Sequence, residues 1–177
     1  MMLKLLKRLL KDLSVSLVGI LLVIACILIV AGLVLFGYSR LPGKTHAVVS
    51  SLGKYADRVF YTSGGFQDFT DYAKYYFTAA DIVENKHLNK IQETDFAMIN
   101  AHLDDFEGWI DTIKDSDPSD EVVVNYDFNR GMVDTEDYFY IDSEEHTWSD
   151  GDTSLVRYDI YLFDAQTQIL YYFHNNI

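Results

Sequence analysis

Hydrophobic and polar positions along the chain follow three successive patterns. The run bounded by Leu13 and Gly37 holds 25 residues without a charge, dense in Leu, Ile and Val. At about 1.5 Å rise per residue such a run outreaches a hydrocarbon core of about 30 Å, which predicts a transmembrane helix. Between residues 45 and 114 the apolar positions recur at helical spacing, and beyond the Asp117-Pro118 turn the period drops to two.

Val48, Leu52, Tyr55, Val59 and Phe60 predict a helix over residues 45–61, stopped at Gly64-Gly65. Phe66, Phe69, Ala73, Tyr76, Ala80 and Val83 predict a second over 66–83. The third, over 94–114, opens on Thr94 as N-cap with Asp95 in its first turn and closes on Lys114, so both ends suit the helix dipole. Phe96, Ile99, Leu103, Phe106, Ile110 and Ile113 line one side with Trp109 beside them, while Asp104, Asp105, Glu107 and Asp111 form the solvated side.

In the last part, Val122, Val124, Tyr126 and Phe128 alternate with Val123, Asn125 and Asp127 and predict a strand. Three more are expected at 138–142, 155–163 and 168–173, separated by polar turns. Helices first and strands later give an α+β class: an N-terminal transmembrane helix followed by about three helices packed on a C-terminal four-stranded antiparallel meander. The organisation this predicts is a basic amphipathic segment at 1–12, the span at 13–37, a linker at 38–44 and an acidic domain at 45–177.

Charge adds a direction to the span. Lys4, Lys7, Arg8 and Lys11 precede it and only Arg40 and Lys44 follow closely, so the positive-inside rule puts the N-terminus in the cytoplasm. The expectation is a single-pass signal anchor in the plasma membrane with the C-terminal domain extracytoplasmic. A cleaved leader is disfavoured because Leu35 and Phe36 stand where small residues are needed. Val23-Ile24-Ala25-Cys26 loosely imitates a lipoprotein cleavage site, but the uncharged residues that follow favour Cys26 as a packing residue.

From Thr45 onward there are 26 Asp and Glu against 8 Lys and Arg, a net of −18. That charge repels nucleic acid and anionic lipid headgroups. The partners expected are membrane lipid through the span and a protein outside the cytoplasm, with no nucleic acid. Cys26 is the only cysteine and no Asn-x-Ser/Thr sequon occurs, which favours a bacterial origin. The 24 aromatic residues after Thr45 can supply the core of a domain this size.

Signatures of catalysis are missing: there is no Gly-x-Ser-x-Gly elbow, no His-Glu-x-x-His pair and no phosphate-cradling glycine loop. His102 and Asp105, three apart on the third helix, have the spacing of an acid/base pair but also that of an ordinary surface contact. Asp115, Asp117 and Ser119 imitate the start of an EF-hand loop, which then fails at Asp120 and Tyr126. The acidic run from Asp134 to Asp152 contains eight carboxylates and no Lys or Arg. Weak calcium binding is the only cofactor expectation, and no catalytic or metal-ligating residue is assigned.

Alternation along the last strands separates an apolar face from a mixed one. The mixed face, Arg157, Asp159, Tyr161 and Phe163, together with aromatic and imidazole residues nearby in sequence, gives the candidate binding residues: Tyr140, Trp148, Arg157, Tyr161, Tyr172 and His174. The function read from this pattern is a membrane-anchored extracytoplasmic interaction or sensing module without catalysis. The alternatives are an accessory subunit of a membrane complex and a carboxylate-dependent hydrolase.

Overall fold

The computed structural model describes residues 44–64, 68–82, 85–147, 149 and 151–177. In chain order the elements are α1 (Lys44–Ser51), β1 (Tyr55–Gly64), β2 (Phe69–Phe77), β3 (Asn89–Lys90), α2 (Phe96–Ser116), α3 (Glu121–Asn125), a 3-10 turn (Arg130–Met132), β4 (Tyr138–Thr147), β5 (Thr153–Asp164) and β6 (Ile169–Asn176). The strands form one antiparallel sheet in the order β1-β2-β6-β5-β4-β3.

The expected three helices on a four-stranded meander are therefore corrected to three helices and a six-stranded sheet among the described residues. The helix expected over 45–61 is α1 followed by β1. Gly53, at φ 90°, ends the helix in the left-handed region, where a glycine pays no Cβ penalty. The helix expected over 66–83 is strand β2. It is buried on both faces, so its apolar residues carry no readable period, and its aromatic content is the better guide. The strand expected over 122–128 is partly the short helix α3: the Asp120 carboxylate accepts the Val122 N–H at 2.8 Å as an N-cap, burying Val122 and turning Val124 to solvent. By contrast α2, β4, β5 and β6 lie close to where periodicity places a helix and three strands.

No helix among the described residues is long and apolar enough to cross a membrane. The longest, α2, carries Asp104, Asp105, Glu107, Asp111, Lys114 and Asp115 along its length. The expected span between Leu13 and Gly37, with its lipid contact, its cytoplasmic N-terminus and the extracytoplasmic placement of the domain, lies outside the described residues. Nothing described supports the single-pass, membrane-anchored reading, the membrane-complex alternative or the external protein partner. Those readings are not retained.

Each face of the sheet has its own core. On one, Ile99, Leu103, Phe106 and Ile110 of α2 pack with Tyr72, Tyr158, Ile160, Leu162 and Phe173. Phe106 and Phe173 meet edge to face at 5.3 Å, as do Phe128 and Phe173 at 4.9 Å. On the other, Val48, Val49 and Leu52 of α1 pack with Ala73, Phe77, Tyr161, Phe163, Leu170 and Tyr172.

Candidate functional site

Strand register explains how the mixed face is assembled. Tyr140, Tyr161 and Tyr172 stand opposite one another on β4, β5 and β6. The next residues on that face form a polar row across five strands, Thr62, Asp71, His174, Asp159 and Asp142, with Arg157 one step further along β5. Of the six candidate binding residues, five thus share one face, and Trp148 lies outside the described residues. They are not a surface, however. Tyr161, Tyr172 and His174 are buried, while Tyr140 and Arg157 are half-buried.

Asp159 is the hub of this interior row. His174 Nδ1 lies 2.8 Å from its Oδ1, and the Tyr172 hydroxyl donates to the same oxygen at 2.8 Å. Burial works against ionisation of Asp159, but hydrogen bonds from His174 and Tyr172 and the charges of His174 and Arg157 outweigh it and hold its carboxyl below the usual range. Asp71 on the other side of His174 shows the reverse: burial raises it, only partly offset by Thr62 and His174. The rings of Phe69 and Tyr172 lie against the imidazole at 4.8 Å and 6.2 Å.

A carboxylate that fixes one imidazole nitrogen leaves the other as the acid/base atom. Here His174 Nε2 is itself buried and has no hydrogen-bond partner among the described residues. Neither of the cavities described below is lined by His174. Asp71 and Asp159 thus flank a buried imidazole on the sheet face that α1 partly covers.

The other sequence candidates dissolve into local structure. His102 Nδ1 turns back to the Met98 carbonyl at 3.0 Å, and its ring meets Tyr158 edge-on at 6.0 Å. Burial, then the neighbouring Asp105 carboxylate, keeps the Tyr158 hydroxyl protonated far above its ordinary range. In the EF-hand-like stretch the Asp117 carboxylate accepts from the Ser119 N–H and hydroxyl at 3.0 Å and 2.7 Å, and Asp120 caps α3. These carboxylates build a turn between two helices. No group of three or more His, Cys, Asp or Glu among the described residues has an arrangement fit for a metal ion.

A pocket of about 170 Å³ opens at the end of the sheet where α2, the β1–β2 hairpin and the end of β6 meet. Trp109 and Ile113 of α2 and Phe69 of β2 supply apolar wall, with Ser63, Thr70 and Asn175 as polar wall and Asp68 at the hairpin. Gly64, at φ 104°, permits this approach, since a Cβ there would collide with the Asp68 carbonyl oxygen. The Asn175 side chain is 2% exposed. Its Oδ1 accepts from the Thr70 hydroxyl at 2.9 Å, and its Nδ2 has no partner among the described residues. A second cavity, of about 10 Å³ beside Asp137 and Asp164, has room for one water at most.

Sequence reasoning missed this pocket. Trp109 did stand out as a large aromatic beside the buried face of its helix, but Thr70 and Asn175 become neighbours only through the β2–β6 pairing of distant segments. Comparison of the chain with protein families, with curated proteins and with solved structures gives no match in any of the three.

Proposed function

We propose that the domain binds a small, largely apolar group bearing one hydrogen-bond acceptor, in the pocket between α2 and the β1–β2 hairpin. The observation that carries this reading is the Asn175 amide, almost fully buried in the pocket wall with one end unpaired. A buried unpaired donor costs about 1–3 kcal/mol, which an acceptor on a ligand recovers as the Asn175 amide turns toward the pocket. Size narrows the class. The volume is close to the roughly 150 Å³ that accommodates benzene and far below the roughly 300–1,000 Å³ of drug- and cofactor-sized sites. Asp68 at the pocket and the acidic domain disfavour anions. The ligand is a neutral or cationic group the size of one aromatic or branched aliphatic side chain, with a carbonyl.

Ligand-observed NMR with the full chain tests this, using acetophenone and ethylbenzene as probes of equal bulk with and without a carbonyl. Acetophenone is expected to bind with a dissociation constant of about 1 mM, tighter than ethylbenzene. Ile113→Trp, which fills the pocket, should abolish both signals. Binding that survives Ile113→Trp, or no saturable binding of either probe, rejects the proposal.

A further inference from the structure

The two edges of the sheet are protected to different degrees. Beyond its two-residue pairing with β3, the outer edge of β4 carries Asp142, Glu144 and Glu145 and a register irregularity at Glu144/Glu145. Such charges and bulges discourage further strand pairing. The opposite edge, β1, is ten residues long, and from Val59 to its end it has neither charge, proline nor register irregularity. Its outer groups can be identified. The Arg58 N–H bonds the Asp57 carboxylate at 2.8 Å instead of β2, so Arg58 points its backbone outward, and antiparallel alternation places Phe60 and Thr62 on the same outer side. Asp57 thus occupies the first outward donor, and the Phe60 and Thr62 N–H groups that follow are directed away from β2.

Apolar exposure concentrates at the same place. Phe60 is 41% exposed and Tyr55 38%, both on β1 and paired with Ala73 and Phe77 of the α1-side core. Local charge is nearly balanced here, with Lys54, Asp57 and Arg58, although the domain as a whole is strongly acidic. Repulsion between domain charges is screened beyond about 8 Å at physiological salt.

We propose that β1 pairs antiparallel with β1 of a second copy of this chain, Phe60 opposite Phe60, joining two six-stranded sheets into one of twelve strands. In this register the outward-facing residues oppose one another, as an antiparallel ladder requires. Arg58 then faces Thr62 and Asp57 faces Ser63, so no like charges meet across the two-fold axis. A register shifted by two residues toward the start of β1 has its axis nearer Arg58. A further shift of two sets Arg58 against Arg58, which is unfavourable.

Sedimentation equilibrium on the full chain tests the pairing, with Phe60→Lys on this edge and Glu145→Lys on the other. Both residues are exposed, so neither change disturbs the core. Wild type and Glu145→Lys should be dimeric at about 100 µM, with the dissociation constant of Phe60→Lys raised about tenfold or more. The Phe60 and Thr62 amides should exchange more slowly as wild-type concentration rises. A monomeric wild type, association insensitive to Phe60→Lys, loss of association in both variants, or concentration-independent exchange of the two amides overturns the proposal.

Discussion

The two faces of the sheet solve the same packing problem with different chemistry. Under α2 the interior is aromatic and aliphatic: Phe106, Phe128, Phe173 and Tyr126 interlock ring against ring, and the polar atoms of Tyr72 and Tyr126 reach outward to Asp127 and Glu107. The opposite face begins as an apolar core under α1 and then gives way to the row of Asp71, His174 and Asp159. Apolar contacts are insensitive to pH and tolerate some repacking. Buried charges are secure only while every partner is present. One sheet thus has a face whose stability is set by volume and a face whose stability is set by protons.

The largest expected effect tests the first half of that contrast. Phe106→Ala should cost about 3–5 kcal/mol in denaturant unfolding, since its ring is fully buried at the centre of the aromatic cluster. A loss below about 1 kcal/mol would mean that the α2 face is not organised by this ring. Next comes Asp159→Asn, which removes a charge from two hydrogen bonds and should cost about 2 kcal/mol at neutral pH. Because its folded pKa is lowered, the stability Asp159 contributes is present above its ordinary value of 3.8 and is lost as pH falls through the lower folded value. The variant's acid unfolding curve should therefore be flatter below about pH 3.8.

Glu107→Ala should cost about 1–2 kcal/mol. Periodicity puts Glu107 on the solvated side of the helix, where its loss would cost less than about 0.5 kcal/mol. Instead its carboxylate accepts from the Tyr126 hydroxyl at 2.8 Å and from Arg130 at 3.0 Å and 2.7 Å, tying the chain after α3 to α2. Equal midpoints for Glu107→Ala and wild type would return it to the solvent.

The smallest effect has the opposite sign. Burial raises the folded pKa of Asp71, so the advantage of its protonated form is complete below 3.8 and is lost as pH rises through the raised value. At neutral pH the ionised group weakens the fold, and Asp71→Asn should be more stable than wild type at pH 7 in denaturant unfolding while leaving stability near pH 3 almost unchanged. A destabilised Asp71→Asn at pH 7 would show that Asp71 and Asp159 act as one pair and not as opposites.

How much of this was legible in the sequence depends on what each element faces. Helix α2 keeps its charged side in solvent, so its 3.6-residue period survives in the residue order. Strands β4, β5 and β6 are rich in aromatic and branched residues between clear turns, and they read correctly. Strand β2 has neighbours on both sides and both faces, and in β1 the spacing of Tyr55, Val59 and Phe60 happened to continue that of the preceding helix. Gly53 was the available signal for the break between them. Alternation along β5 separates Val156, Tyr158, Ile160 and Leu162 from Arg157, Asp159, Tyr161 and Phe163, while Tyr140, Tyr172 and His174 join the second set only through strand register. It could not show that α1 would cover part of that face, because the helical reading carried α1 on into the residues that form β1.

Strand order also has a kinetic consequence. Strand β6 comes after the other five in the chain, yet it lies in the interior of the sheet, between β2 and β5, and pairs Phe69 with Asn176. The β1–β2 hairpin and the β4–β5–β6 meander can each form from local contacts alone, and among the described strands the two are joined only where β2 pairs with β6. Closing so long a loop before its contacts are rewarded makes folding slow, and until then β2 and β6 each wait with an inner edge unpaired. During that interval the aromatic edge of β2 is open to the wrong strand, so the domain's exposure to aggregation is set by how soon β2 and β6 meet more than by the stability of the finished fold.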